Sequence, residues 1–195
     1  MPSWRKRWRD CTAHRQASRY QELLRGREET FGPKERAAIF SAPGRTEIGG
    51  NHTDHQHGRV LAGSVDLDVI AAVAPNGERV IRIQSEGFPM DVVELDDLEI
   101  HPEEYNTSLS IIRGIAAWFH RQGCRLEGFD AYTTSSVLKG SGLSSSAAFE
   151  VLVGNIINSL FFDGQCDSVR LAQVGQYAEN VYFGKPSGLL DQMGS

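Results

Sequence analysis

The sequence predicts a single α+β domain, and three observations carry that prediction. Short β-branched or alternating segments crowd residues 36–95. Two stretches of helical apolar spacing follow, over 108–122 and 144–161. One lone strand candidate, residues 128–136, lies between those helices, so a meander is followed by helices and an isolated strand.

Each element has its own signal. Residues 12–28 carry the sparse anchors Tyr20, Leu23 and Leu24 of an amphipathic helix, which Gly32-Pro33 stops. "RAAIFSAPG" (36–44) predicts a short strand ending at Pro43-Gly44, and the second half of 59–74 predicts another. Asn76-Gly77 has the signature of a tight hairpin leading into 79–85, which alternates with period two. Residues 91–95 complete the meander. Leu109, Ile112, Ala116 and Phe119 set the helix of 108–122, closed by Gly123. Ala148, Leu152, Ile156 and Leu160 set the helix of 144–161. Asp167 is the predicted N-cap of a last helix, stopped by Gly184 and Pro186.

Composition excludes several classes. With 40% hydrophobic and 23% charged residues the chain is of ordinary globular type, long enough to bury a core. No apolar run approaches the roughly 20 residues that span a bilayer, and none stands behind the basic start "MPSWRKRWRD", so neither membrane nor secretion is expected. Cys11, Cys124 and Cys166 are odd in number, widely spaced and match no metal pattern, which predicts a reducing cytoplasm. The net charge of −5 hides ten Lys/Arg against five Asp/Glu in residues 1–36. Those arginines are interleaved with Asp10, Glu22, Glu28 and Glu29, as on a solvated helix face, and nucleic acid is not an expected partner.

Three polar segments carry chemistry. In "VLKGSGLSSSAAFEV" (137–151), Gly140, Ser141 and Gly142 lead through Leu143 into Ser144, Ser145 and Ser146 at the start of a helix. Free backbone N–H groups and the positive end of the helix dipole then meet at one point, an anion site by geometry. The serine hydroxyls can cap the helix, bond phosphate oxygens or ligate Mg²⁺. A helix start with redundant caps reads the same pattern without a ligand. "SAPGRTEIGGNHTDHQHG" (41–58) places Arg45 after a turn and crowds Asn51, His52, Asp54, His55 and His57 together. There, His52, Asp54, His55 and His57 suit a metal such as Zn or Fe. Asn51, His52 and Asp54 suit the hydroxyls of a polyol equally well, and an exposed polar loop is the plain alternative. The chain closes on "KPSGLLDQMGS", with Asp191 in a Gly-bounded turn and Glu179 one helix earlier.

Taken together these segments resemble a known family. "APGRTEIGGNHTDHQHG" resembles the galactokinase signature. "KGSGLSSSAAFEV" resembles the phosphate-binding motif of the GHMP kinases (galactokinase, homoserine, mevalonate and phosphomevalonate kinases). "AEN…GKPSGLLDQ" resembles the family segment that carries the catalytic aspartate. The resemblance implies a GHMP-kinase N-terminal domain of the ribosomal-protein-S5-domain-2-like class, a mixed β-sheet with helices packed on one face, over residues 19–195 after a basic extension, 1–18. It implies an ATP- and Mg²⁺-dependent kinase acting on the anomeric hydroxyl of galactose. Arg45 then matches the arginine that touches the transferring phosphoryl group and steadies Asp191, the carboxylate that takes the hydroxyl proton. Asn51, His52, Asp54, Gly188 and Asp191 fall on sugar-binding positions. Residues 140–146 would wrap the ATP phosphates, with Ser146 and Glu179 on Mg²⁺.

The sequence also departs from the family. Asn51 stands where galactokinases carry Glu, at the position expected to meet the sugar's C6 hydroxyl, which opens the site to a C6 variant such as galacturonate. Glu47 replaces an Asn, His55 a Tyr, and Lys139 stands near the phosphate loop, which lacks its usual preceding proline. The family's second domain and third glycine-rich motif are absent, so the chain is expected to be the N-terminal part of a kinase, inactive or nearly so alone. Two rivals remain at this stage: a non-catalytic sugar- and ATP-sensing protein of the same fold, and a metal-dependent enzyme built on His52–His57.

Overall fold

A computed structural model of the protein describes residues 4–50, 53–56, 58–138 and 140–195. Helix α1 spans Trp4–Phe31, strand β1 Ala38–Gly49, β2 Leu61–Pro75, β3 Val80–Ser85 and β4 Met90–Glu94. Then come α2 (Ser108–Arg121), β5 (Phe129–Ser135), α3 (Ser145–Phe161), α4 (Ser168–Ala178), a π-helical turn Glu179–Phe183, and the short α5 (Leu190–Gly194). The five strands form one mixed sheet in the order β1-β2-β5-β3-β4, in which only β3 and β5 run parallel.

Alternation along β2 divides the structure into layers, because successive side chains leave a strand on opposite faces. Val69, Ala71 and Val73 enter the main core with Ile81, Ile83, Phe129, Ile112, Ile115, Phe119, Leu152 and Ile156. This face is covered by α2, α3 and α4, as the sequence reading expects. Ile70 and Ala72 face the other way and pack on Leu23 of α1, flanked by Tyr20 and Tyr132. That second cover departs from helices on one face alone. Helix α1 is continuous across residues 18 and 19. Its described anchors on the sheet begin with Arg19, which pairs with Asp68 of β2 at 2.8 Å. Among the described residues no helix is long and apolar enough to cross a membrane.

Two sequence expectations are corrected. Strand β1 does not stop at Pro43-Gly44 but runs to Gly49, with bulges between Pro43 and Arg45 and between Glu47 and Gly49. It is an edge strand, where a proline's missing N–H breaks no ladder. The Asn76-Gly77 turn does not close a hairpin either, because β5 inserts between β2 and β3. The Asn76 N–H donates to the Gly128 carbonyl (3.2 Å), and the Gly128 N–H donates to the Glu78 carbonyl (2.9 Å), so the head of β5 fills the opened turn. The Asn76 amide donates to Asp130 Oδ1 (2.9 Å), as does Arg82 Nε (2.7 Å), and together they pin β5 against both neighbours.

Gly128 is the tightest point of this insertion. A Cβ there would lie 2.6 Å from both Asn76 Oδ1 and the Glu78 carbonyl oxygen, and against the Val80 carbonyl. Backbone oxygens cannot swing aside as a side chain would. Gly128→Ala is expected to destabilise the domain by about 1–3 kcal/mol, the usual range for overpacking. A urea midpoint equal to wild type would refute the account of the insertion.

Candidate active site

The bulge in β1 turns Arg45 inward, and its guanidinium is the centre of the site. Arg45 is only 5% exposed. Its Nε and Nη2 donate to Asp191 Oδ1 at 2.8 and 2.6 Å, and its Nη1 donates to the Gly142 carbonyl at 2.8 Å. The Arg45 backbone N–H donates to the Leu143 carbonyl at 3.0 Å. One residue thus ties the edge strand to the glycine-serine loop and to the last helix. The bonds to Asp191 are charge-assisted, about twice as strong as neutral ones.

The loop takes the shape its glycines allow. Gly140 and Gly142 have φ of 79° and 76°, where a side chain is strained. Ser144 at the N-cap of α3 is itself left-handed (φ 53°) and its side chain caps nothing. The capping alternative therefore fails for Ser144. Ser141 Oγ donates to the Leu138 carbonyl at 2.6 Å, and Ser146 is exposed on the first turn of α3. The Ser144 side chain caps none of the first N–H groups of α3, and a helix start with such groups free favours an anion.

Asp54 and Gly188 meet at the other side of Asp191. Asp54 stands in a single 3₁₀ turn, Thr53–Gln56, and its Oδ2 accepts from the Leu190 N–H at 2.8 Å. A carboxylate at this helix start fixes where α5, and hence Asp191, begins. Gly188 lies so close to Asp54 that a Cβ would overlap the carboxylate. Asp191 keeps 31% of its side chain exposed. The structure therefore unites Arg45, Asp54, residues 140–146, Gly188 and Asp191. Asn51, His52, His57 and Lys139 lie outside the described residues, as does the side chain of His55. Among the described residues no group of three or more His, Cys, Asp and Glu side chains could hold a metal.

Sequence reasoning missed two residues beneath the site, Glu150 and Gln192. Gln192 of α5 uses one amide nitrogen for both Glu150 Oε2 (2.9 Å) and Glu179 Oε2 (3.0 Å). Glu150, Glu179 and Gln192 are all buried, and Glu150 Oε1 and Gln192 Oε1 have no partner. Burial, reinforced by the nearby Glu179 and opposed by the Gln192 hydrogen bond, pushes Glu150 up to about 8. The signal was present in the sequence: Glu150 interrupts an apolar helix four residues after Ser146, one turn along the same face. The donor set of Ser146 hydroxyl and Glu179 carboxylate fits Mg²⁺, which takes one or two protein oxygens and completes its shell with water and phosphate. The unpartnered Glu150 Oε1 and Gln192 Oε1, buried beside Glu179, are acceptors that a cation would suit.

Similarity to known proteins converges on this site. Residues 28–75 match the family model of the galactokinase galactose-binding signature, and residues 110–195 match the GHMP kinases N terminal domain. The galactokinase of Lacticaseibacillus casei (strain BL23) is 34% identical over 173 residues, 88% of this chain and 44% of that relative. The crystal structure of Lactococcus lactis galactokinase complexed with galactose superposes with a TM-score of 0.82 at 29% identity, covering 90% of this chain and 45% of that one. Methanococcus jannaschii mevalonate kinase shares the fold, with a TM-score of 0.66 at 18% identity over 83% of this chain and 51% of that one. The chain spans about 44% of the length of the curated relatives it matches.

Glu150 gives the site a testable pH dependence. It binds its proton more tightly folded than unfolded, so ionising it opposes folding. The penalty is absent below the ordinary value of 4.5, grows as pH rises, and is complete above about 8. Glu150→Gln removes it, so the variant's urea midpoint is expected to exceed that of wild type increasingly between those limits. Parallel pH profiles for the two proteins would contradict the burial argument.

Proposed function

Because the chain belongs to the GHMP kinases and carries the galactokinase galactose-binding signature, we propose that it is the N-terminal part of an ATP-dependent sugar kinase that phosphorylates the anomeric hydroxyl of galactose. The observation that carries this reading is the Arg45–Asp191 ion pair bonded to the phosphate-loop carbonyl of Gly142. It puts a carboxylate, a guanidinium and an anion-binding helix start within one contact network.

Phosphoryl transfer needs in-line placement and neutralised charge more than covalent help. Asp191 accepts the hydrogen bond of the sugar hydroxyl and takes its proton as the oxygen attacks. Arg45 holds Asp191 in place and directs positive charge at the transferring group. The backbone N–H groups and hydroxyls of residues 140–146 hold the ATP phosphates. Asp54, Gly188 and the flanking Asn51 and His52 bind sugar hydroxyls, and the Asp54–Gly188 contact leaves no room for a larger residue at 188. Ser146 and Glu179 would hold Mg²⁺, which supplies charge neutralisation at the phosphates. Asn51 in place of the family Glu favours a test of galacturonate beside galactose.

A second domain of the same kinase completes the cleft in this reading. Ile48, Leu61, Leu138 and Met193 are large apolar side chains left exposed on the elements that carry the site, a surface suited to being covered. The buried free Cys124 and Cys166 fit a cytoplasmic setting.

Asp191→Asn in the full-length kinase is expected to lower turnover by about 10²-fold or more, the range for losing a general base, with sugar binding still measurable by calorimetry. The assay is ADP release over a sugar panel including galactose and galacturonate. Near wild-type turnover in that variant would refute the role of Asp191. Sugar and ATP binding with no ADP release from the wild-type enzyme would favour the sensor instead.

A further inference from the structure

Glu150 and Gln192, buried against Glu179, have no part in the catalytic reading. Glu150 lies one helical turn below Ser146 on α3. Gln192 follows Asp191 directly on α5, so its side chain leaves the helix about 100° around from the aspartate and points inward. Its two N–H groups go one to Glu150 and one to Glu179, which exhausts the amide as a donor. Three elements, α3, α5 and the π turn of 179–183, are thereby joined at one nitrogen.

Helix α4 is shaped to admit this cluster. Gly175 is buried, and a Cβ there would come within 3.0 Å of both Glu150 Oε2 and Gln192 Cγ. A side chain at 175 would push the carboxylate and the amide out of register. Burying Glu150 and Gln192 with an unpartnered Oε1 each costs about 1–3 kcal/mol for each unsatisfied group, which stability alone does not favour.

The geometry points to Gln192 and Glu150 as positioning residues that set the Glu179 carboxylate against Ser146, so that the metal site is assembled in register with Asp191. The inference rests on reading Ser146 and Glu179 as the Mg²⁺ ligands. Gln192 links the base and the metal ligand mechanically: displacing the amide shifts Glu179 without touching the sugar or the Arg45–Asp191 pair.

The test is made on the full-length kinase, with Mn²⁺ as probe and a non-hydrolysable ATP analogue present. Mn²⁺ binding is read by electron paramagnetic resonance, the Mg²⁺ midpoint for turnover by ADP release, sugar binding by calorimetry and folding by thermal melting. Gln192→Met is expected to weaken Mn²⁺ binding by about 10–100-fold, the range for residues that orient a metal ligand, while sugar affinity stays unchanged. Glu150→Leu should do the same, and Glu150→Gln, which keeps an acceptor for the Gln192 amide, should restore most of the loss. Should Gln192→Met fail to fold, Gly175→Ala carries the test, with a raised metal midpoint at unchanged sugar affinity. Wild-type metal binding in folded Gln192→Met, or in Gly175→Ala where that variant stands in, would overturn the positioning role. Turnover by the wild-type enzyme without any divalent metal would instead overturn the ligand assignment beneath it.

Discussion

The ion pair between the buried Arg45 and the partly exposed Asp191 is the constraint to which the rest of the structure answers. The two residues stand 146 positions apart, on an edge strand and on a helix of only five residues. Ion pairs out of water gain little net stability, because desolvation offsets attraction. This one persists because each remaining demand is met locally. The bulge after Pro43 aims the arginine, the Gly142 carbonyl takes its third nitrogen, and Asp54 holds the start of the aspartate's helix. Losing any of these supports would leave a charge buried without its geometry.

How far the sequence disclosed this arrangement depends on the kind of signal. Helices α2, α3 and α4 were legible because their apolar residues recur at helical spacing against a buried face. Arg45, Asp54, Gly188 and Asp191 were legible because they fall in motifs of fixed order. Sheet order was not. Residues 79–85 alternate identically whether β2 or β5 lies alongside, and the Asn76-Gly77 turn is silent about what inserts into it. Only Gly128, a glycine at the head of a strand, hinted at a close backbone approach. Glu150 and Gln192 escaped for a different reason. A carboxylate on a helix ordinarily reads as solvated, and its burial follows from where α4 and α5 come to rest. The long α1 was underestimated because its first turns are polar and offer no apolar period.

Strain in the glycine-serine loop has a consistent physical direction. A left-handed non-glycine residue such as Ser144 costs about 1–3 kcal/mol and persists where the surroundings over-determine it. Here the Gly142 and Leu143 carbonyls are both drawn to Arg45, which fixes the chain on one side, and α3 fixes it on the other. The serine that could have capped the helix is turned away from doing so. Helix donors that a cap would have satisfied remain available to a ligand's oxygens. The same arginine that orders the aspartate thus also keeps the anion site open.

On the proposed reading, charge balance favours a divalent cation at the site. The chain is net negative, and the site's one buried arginine is already paired with Asp191. A phosphate approaching the α3 start therefore meets the helix dipole, worth about half an elementary charge, together with the carboxylates of Glu179 and Asp191. Without further positive charge these groups repel it at short range. A divalent cation reverses that balance, since carboxylates that oppose a bare phosphate become ligands of the ion that carries it. On the proposed reading, nucleotide and metal arrive as one unit. On the same reading the cluster of Glu150, Gln192 and Glu179 has a reason to be buried: it would hold the metal's anchor rigid.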